Sequence, residues 1–219
     1  MKYNLSELIT HVQKSVELSQ NNKSKLTNDI LNINGMSGKK TRHLYNNICN
    51  LSNANYLEVG TWAGSSFISS IYNNNINSLA IDNWSEFDGP KEIFKKNVNN
   101  FYPNAKYTFI EKDSFLITEE DIKKVFDSID IYLYDGCHKY ESHKKAITHF
   151  SQFLSKYSII IIDDWRNDSG WDKVQKGTYD GLNESGLIVH EKIEIITKQE
   201  ETGPEEYWNG FAIFVCEKI

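Results

Sequence analysis

Two short apolar runs in this 219-residue chain end in acids, and the residues at those ends are the ones equipped for chemistry. Ile131 to Tyr134 runs into Asp135-Gly136-Cys137-His138, and Ile159 to Ile162 runs into Asp163-Asp164-Trp165. Both runs are dense in β-branched or aromatic residues and read as buried strands, where carboxylates without partners are costly. Ligands of open α/β sheets bind beyond the carboxyl ends of the strands. Three carboxylates and a histidine at two such ends therefore point to a reaction centre, with a metal ion as one way to hold the acids together.

A second chemical segment is Tyr56 to Ser66, YLEVGTWAGSS. A strand ending in Glu58-Val59-Gly60 is followed four residues later by Gly64, just where the next helix should begin. Glycine at both points lets the backbone turn tightly and approach a ligand. Thr61 and Trp62 after Gly60 break the Gly-x-Gly-x-x-Gly spacing, and no Walker lysine loop is present, which disfavours a dinucleotide or a triphosphate.

The elements that must position these residues alternate. Leu5, Leu8, Ile9, Val12 and Val16 fall at helical spacing and predict an N-terminal helix outside the core, with a second helix over Thr41–Asn50. Strands are expected at Tyr56–Val59, Ser78–Ile81, Lys106–Ile110, Asp130–Tyr134 and Ser158–Ile162. Helices are expected at Ser65–Tyr72, Pro90–Asn99, Glu119–Phe126, Tyr140–Leu154 and about Trp171–Leu182. Leu187–Thr197 and Tyr207–Cys216 then follow as two strands with no helix between them, joined by a loop holding Gly203-Pro204, and should pair antiparallel. The expected fold is α/β: a mainly parallel seven-stranded sheet with one reversed strand and helices on both faces.

Composition limits the function classes. Hydrophobic residues at 39% and aromatics at 13% suffice for one sizeable core. A net charge of -6 with no basic stripe argues against nucleic acid as a partner. Cys49, Cys137 and Cys216 fit neither a zinc spacing nor a disulfide framework, so reduced thiols in the cytoplasm are expected. No signal-like or membrane-spanning apolar run appears, so a membrane partner is not expected.

Taken together, the acid-x-Gly-x-x-x-Gly loop, Asp82 at the end of the second strand, Asp113-Ser114 after the third and the reversed last strand resemble a class I S-adenosylmethionine-dependent methyltransferase, a Rossmann-like fold. DGCHKYE at Asp135–Glu141 and IIDDW at Ile161–Trp165 are similar to the metal-dependent O-methyltransferases of sugars and related natural products. The resemblance covers roughly Asn55 to Ile219, with residues 51–219 as the cofactor-binding domain and residues 1–50 as a helical extension or cap.

The resemblance implies S-adenosylmethionine and a divalent ion, magnesium by its preference for oxygen. Gly60 and Gly64 would lie against the methionine part of the cofactor, with Glu58 anchoring that region and Thr61 and Ser65 supplying hydrogen bonds. Asp82 would accept from the ribose hydroxyls, Asn83 and Trp84 would border the adenosine, and Asp113 and Ser114 would meet the adenine edge. Asp135, beside the cofactor, would share the ion with Asp163 and Asp164. His138 or Asp135 would serve as the base, an imidazole being suited to proton transfer near neutrality. The acceptor would be a hydroxyl of a sugar, a glycan or a small metabolite.

Members of that group often carry an acid where this chain has Cys137. Arg166, Asn167 and Asp168 read either as a substrate loop or as a solvated turn, and Asp82 and Asp113 also read as ordinary caps or loop residues. Two other functions stay open at this point. Tyr140 and Lys144 match the Tyr-x-x-x-Lys pair of a nicotinamide-dependent oxidoreductase, and a non-catalytic cofactor-binding or interaction module needs no chemistry at all. A homodimer is the base-rate expectation for assembly.

Overall fold

The parallel strands finish almost level with one another, and the acids of the sequence collect at that edge. The computed structural model describes residues 2–166, 172–197 and 203–219. Its strands are β1 (Asn55–Val59), β2 (Asn77–Asp82), β3 (Thr108–Glu111), β4 (Ile129–Tyr134), β5 (Leu154–Asp163), β6 (Ile188–Ile195) and β7 (Phe211–Glu217). The helices are α1 (Leu5–Gln20), α2 (Asn28–Leu31), α3 (Lys39–Ile48), α4 (Ser65–Ile71), α5 (Lys91–Phe101), α6 (Glu119–Lys123), α7 (Tyr140–Phe150) and α8 (Asp172–Glu184). One seven-stranded sheet runs in the order β3-β2-β1-β4-β5-β7-β6. The first five strands are parallel, and β7 lies antiparallel between β5 and β6, the single reversed strand expected.

Register brings the strand ends together. Val59 pairs with Ile81 and with Tyr134, and Tyr134 pairs with Ile162, so Gly60, Asp82, Asp135 and Asp163 emerge side by side. The strand order reverses between β1 and β4, which makes their ends the topological switch point where this architecture takes ligands. Because β7 runs the other way, its first residue, Phe211, pairs with Asp163, and the loop before β7 arrives at the same edge.

Alternation along the strands then gathers the strand-end acids on one face. On one face Tyr56, Ala80, Ile131, Leu133, Ile159 and Ile161 pack with Leu8 and Val12 of α1, Leu44 and Tyr45 of α3, and Phe67 of α4. The opposite face packs Leu57, Tyr132, Tyr134, Ile160 and Ile162 against α7 and α8. Counting by twos puts Glu58, Asp82, Asp135 and Asp163 on the face covered by α1 and α3, while Asp164 lies one residue beyond the end of β5.

The N-terminal helix is not outside the core. Leu8 and Val12 are fully buried, and each such side chain stabilises the fold by roughly 1.5–3 kcal/mol. The capping box of Asn4 and Glu7 starts α1 where its apolar stripe meets the sheet face. The helix expected to reach Leu154 stops at Phe150, because Leu154 pairs with Ile129 and lengthens β5 at its start. Trp171, the expected first residue of α8, lies outside the described residues, as do Asn167 and Asp168.

Candidate active site

The glycine loop is shaped by its contact with β4. Gly60 and Gly64 both sit at φ 88°, in the left-handed region. Gly60 donates its N–H to Ile81 O of β2 over 3.0 Å, while the N–H of Asp135 goes to Val59 O over 2.9 Å and ties the end of β4 to the end of β1. Gly64 opens α4 against the ring of Phe94, where a Cβ would approach within 2.8 Å.

Below the loop Glu58 is completely buried. It accepts hydrogen bonds from Ser66 Oγ at 2.6 Å and from the Tyr56 hydroxyl, and burial, aided by Asp82, pushes its carboxyl up to about 7. Ser65 is buried with its Oγ 3.4 Å from Ser37 Oγ. Thr61 is buried as well, and its Oγ1 has no partner, an orphaned hydroxyl in the loop expected to meet a cofactor.

Asp82 binds the next loop to this one. Its Oδ2 accepts from the N–H of Trp62 at 2.8 Å and its Oδ1 from the N–H of Trp84 at 2.7 Å, two residues held at positive φ. The Trp84 indole N–H donates to Trp62 O over 2.9 Å, and its ring packs in the core against Phe94 and Phe109. Trp84 thus braces the loop from within instead of lining an open cleft. Asn83 is exposed and accepts from Ser85. Asp113 is exposed too and caps the short 3-10 turn at Ser114–Leu116 by accepting from Phe115 N at 2.8 Å.

The β4 and β5 ends form the acidic centre. Asp135 has its carboxyl raised well above the ordinary range, first by burial and then by Asp163, Asp164, Glu58 and Asp82. Asp163 is raised likewise by burial and by Asp164. Asp164 lies at φ 58°, and this left-handed turn brings its carboxylate to His138, with Oδ2 2.5 Å from Nε2.

Ligand atoms of Asp135, His138 and Asp164 all fall within 4.8 Å of one another. The set expected from the sequence had Asp163 in the place that His138 takes. Asp163 instead accepts from Asp164 N at 3.0 Å and, on the α3 face, lies beside the buried hydroxyl of Tyr45. Two carboxylates and an imidazole at this spacing are a donor set that fits a divalent ion.

Sequence reasoning missed two residues here. Tyr45 is one, on a helix read as part of an extension. Asn209 is the other: its amide nitrogen stands 2.5 Å from Asp164 Oδ1 across 45 residues of sequence.

Other candidates resolve into structure. The Tyr140 hydroxyl donates to Asp180 at 2.7 Å and Lys144 pairs with Glu184 at 2.6 Å, so the Tyr-x-x-x-Lys pair ties α7 to α8 and gives the oxidoreductase no support. Burial holds His143 down to about 3, behind the ring of His138. His11 and His149 bond main-chain carbonyls, and His43 and His190 bond Ser24 and Glu217. No helix among the described residues is long and apolar enough to cross a membrane.

Residues 57–165 match a family model described as a methyltransferase domain. No curated protein sequence matches the chain. Among solved structures, an O-methyltransferase from Bacillus cereus in complex with SAH superposes with a TM-score of 0.57 at 13% identity, over 95% of this chain and 91% of that one. TrmK of M. capricolum, solved with S-adenosylhomocysteine, gives 0.51 at 15% identity over 80% and 67%. TrmN from Thermus thermophilus gives 0.58 at 9% over 87% and 52%. These likenesses lie in the fold.

Proposed function

We propose that the chain, whose residues 57–165 match a methyltransferase domain, is a class I S-adenosylmethionine-dependent enzyme that methylates a hydroxyl of a sugar or small metabolite with the help of a divalent ion, the carboxylate oxygens at the site favouring magnesium. The observation that carries this reading is the convergence of Asp135, His138 and Asp164 next to the glycine loop. Bound S-adenosylmethionine supplies a methyl group already activated on a sulfonium. A bound ion lowers the pKa of an acceptor hydroxyl.

The chain's own residues do the rest. Gly60 and Gly64 let the loop come close to the methionine part, and the Thr61 hydroxyl, buried without a partner, is available to it. Asp82 keeps Trp62 and Trp84 in place and presents its half-exposed carboxylate to the ribose hydroxyls. Asp135 and Asp164 hold the ion. Asp164 also orients His138, its Oδ2 lying 2.5 Å from Nε2, and the imidazole serves as the base toward the acceptor hydroxyl. Holding acceptor and methyl donor in line accounts for most of the rate in such a transfer.

The test is methyl transfer with and without chelator, beside Asp164→Ala. Loss of turnover with S-adenosylhomocysteine binding kept supports the reading. Undiminished turnover in excess chelator removes the ion from it and leaves the methyl transfer. An interaction module would require Asp135→Ala and Asp164→Ala to leave every activity unchanged.

A further inference from the structure

Asp135 is placed by the end of β4, whereas Asp164 lies one residue beyond β5 in a left-handed conformation, so the sheet ladder does not set the direction of its side chain. A loop from far along the chain does. Asn209 Nδ2 donates to Asp164 Oδ1 over 2.5 Å, and Arg166 Nη1 reaches Asn209 Oδ1 at 3.5 Å. Both contacts agree on which way the amide points. With Oδ1 taken by this donor, Oδ2 is the oxygen turned to His138, at 2.5 Å.

Asn209 is itself held firmly. It sits at φ 62°, a conformation asparagine tolerates better than most residues, and Gly210 follows at φ 74° with its N–H on Tyr207 O at 3.0 Å. A Cβ on Gly210 would stand 2.3 Å from Ile195 O, so the turn is packed against β6. From the other side Lys39 N donates to Pro204 O over 2.7 Å, Lys40 pairs with Glu206 at 2.6 Å, and the Tyr207 hydroxyl meets Ser19 Oγ at 2.7 Å. The N-terminal helices α1 and α3 therefore fix the loop that fixes Asp164.

We propose that Asn209 is the positioning residue of Asp164, its amide N–H occupying Oδ1 so that Oδ2 is turned into the cluster with Asp135 and His138 where the divalent ion would be held; the inference rests on the metal reading above. A carboxylate with one oxygen tied down loses less freedom when it binds an ion, and outer partners of this kind commonly set affinity by about 10–100-fold.

The experiment is Mn2+ affinity of the full chain without acceptor, by calorimetry or paramagnetic resonance, with S-adenosylhomocysteine affinity and melting temperature measured alongside. Asn209→Asp keeps the size and the left-handed tolerance of asparagine and replaces the donor with a charged oxygen, whereas Asn209→Ala removes the donor without adding charge. It is expected to weaken Mn2+ binding about tenfold or more, as is Asn209→Ala, with S-adenosylhomocysteine affinity unchanged. If Asn209→Asp binds Mn2+ as tightly as the parent, or more tightly as an added oxygen ligand would, the positioning role is wrong while the metal reading stands. A parent chain that binds S-adenosylhomocysteine but no Mn2+ overturns both.

Discussion

A Cβ on Gly60 would stand 1.8 Å from the carbonyl oxygen of Asp135, so the loops that follow β1 and β4 meet with no space for a side chain between them. Gly60→Ala must move one of these loops and also hold alanine at φ 88°, which alone costs about 1–2 kcal/mol. We expect a loss of at least about 2 kcal/mol, or roughly 4–8 °C in melting temperature for a domain of this size, and weaker S-adenosylhomocysteine binding. Thermal unfolding and calorimetry check both. A parent-like variant would show that the loops are not packed this way.

Asp82, proposed above to bind ribose, accepts first from two backbone amides. Asp82→Ala leaves the N–H groups of Trp62 and Trp84 without their acceptor, at about 1–3 kcal/mol for a buried donor. Asp82→Asn keeps one acceptor oxygen and should fall between the parent and Ala in both stability and cofactor affinity. Equal behaviour of the two variants in denaturant melts would separate the carboxylate from the loop.

Glu58 gives the chain a pH dependence of known sign. Its folded pKa, about 7, exceeds the ordinary 4.5, so the folded state holds the proton longer and stability falls as pH rises from about 4.5 through 7. His143, held down to about 3, pulls the other way below about 6.5 and makes the parent's own curve ambiguous. The informative quantity is the difference between parent and Glu58→Gln. Relative to the parent, the variant should gain about 3 kcal/mol between pH 4.5 and 8. A constant difference across that range would mean that Glu58 ionises normally.

His138→Ala should lower kcat by roughly 10²–10⁴-fold, with KM for S-adenosylmethionine little changed. Steady-state kinetics across neutral pH provide the check. Normal rates would transfer the base role to Asp135 or to a water.

Much of this was legible in the chain and some was not, for physical reasons. Apolar runs ending in acids announced β4 and β5, and alternation by twos puts Asp163 on the α3 face. The left-handed turn at Asp164, which brings His138 into the set, has no signature in an Asp-Asp pair. Asn209 joins the site only because β7 is antiparallel and starts where β5 ends, a fact of sheet order and not of local sequence. The apolar stripe of α1 was plain to read, but periodicity cannot say which surface a stripe covers. Asp113 shows the converse case: the capping role weighed against a binding role is the one the structure displays.

Diffraction from crystals grown with S-adenosylhomocysteine and Mn2+, with an anomalous map at the manganese edge, tests the central claim most directly. The account predicts a peak held between Asp135 and Asp164, with the ligand lying along Gly60 to Gly64. S-adenosylhomocysteine in the cleft with no anomalous peak at those carboxylates would contradict it.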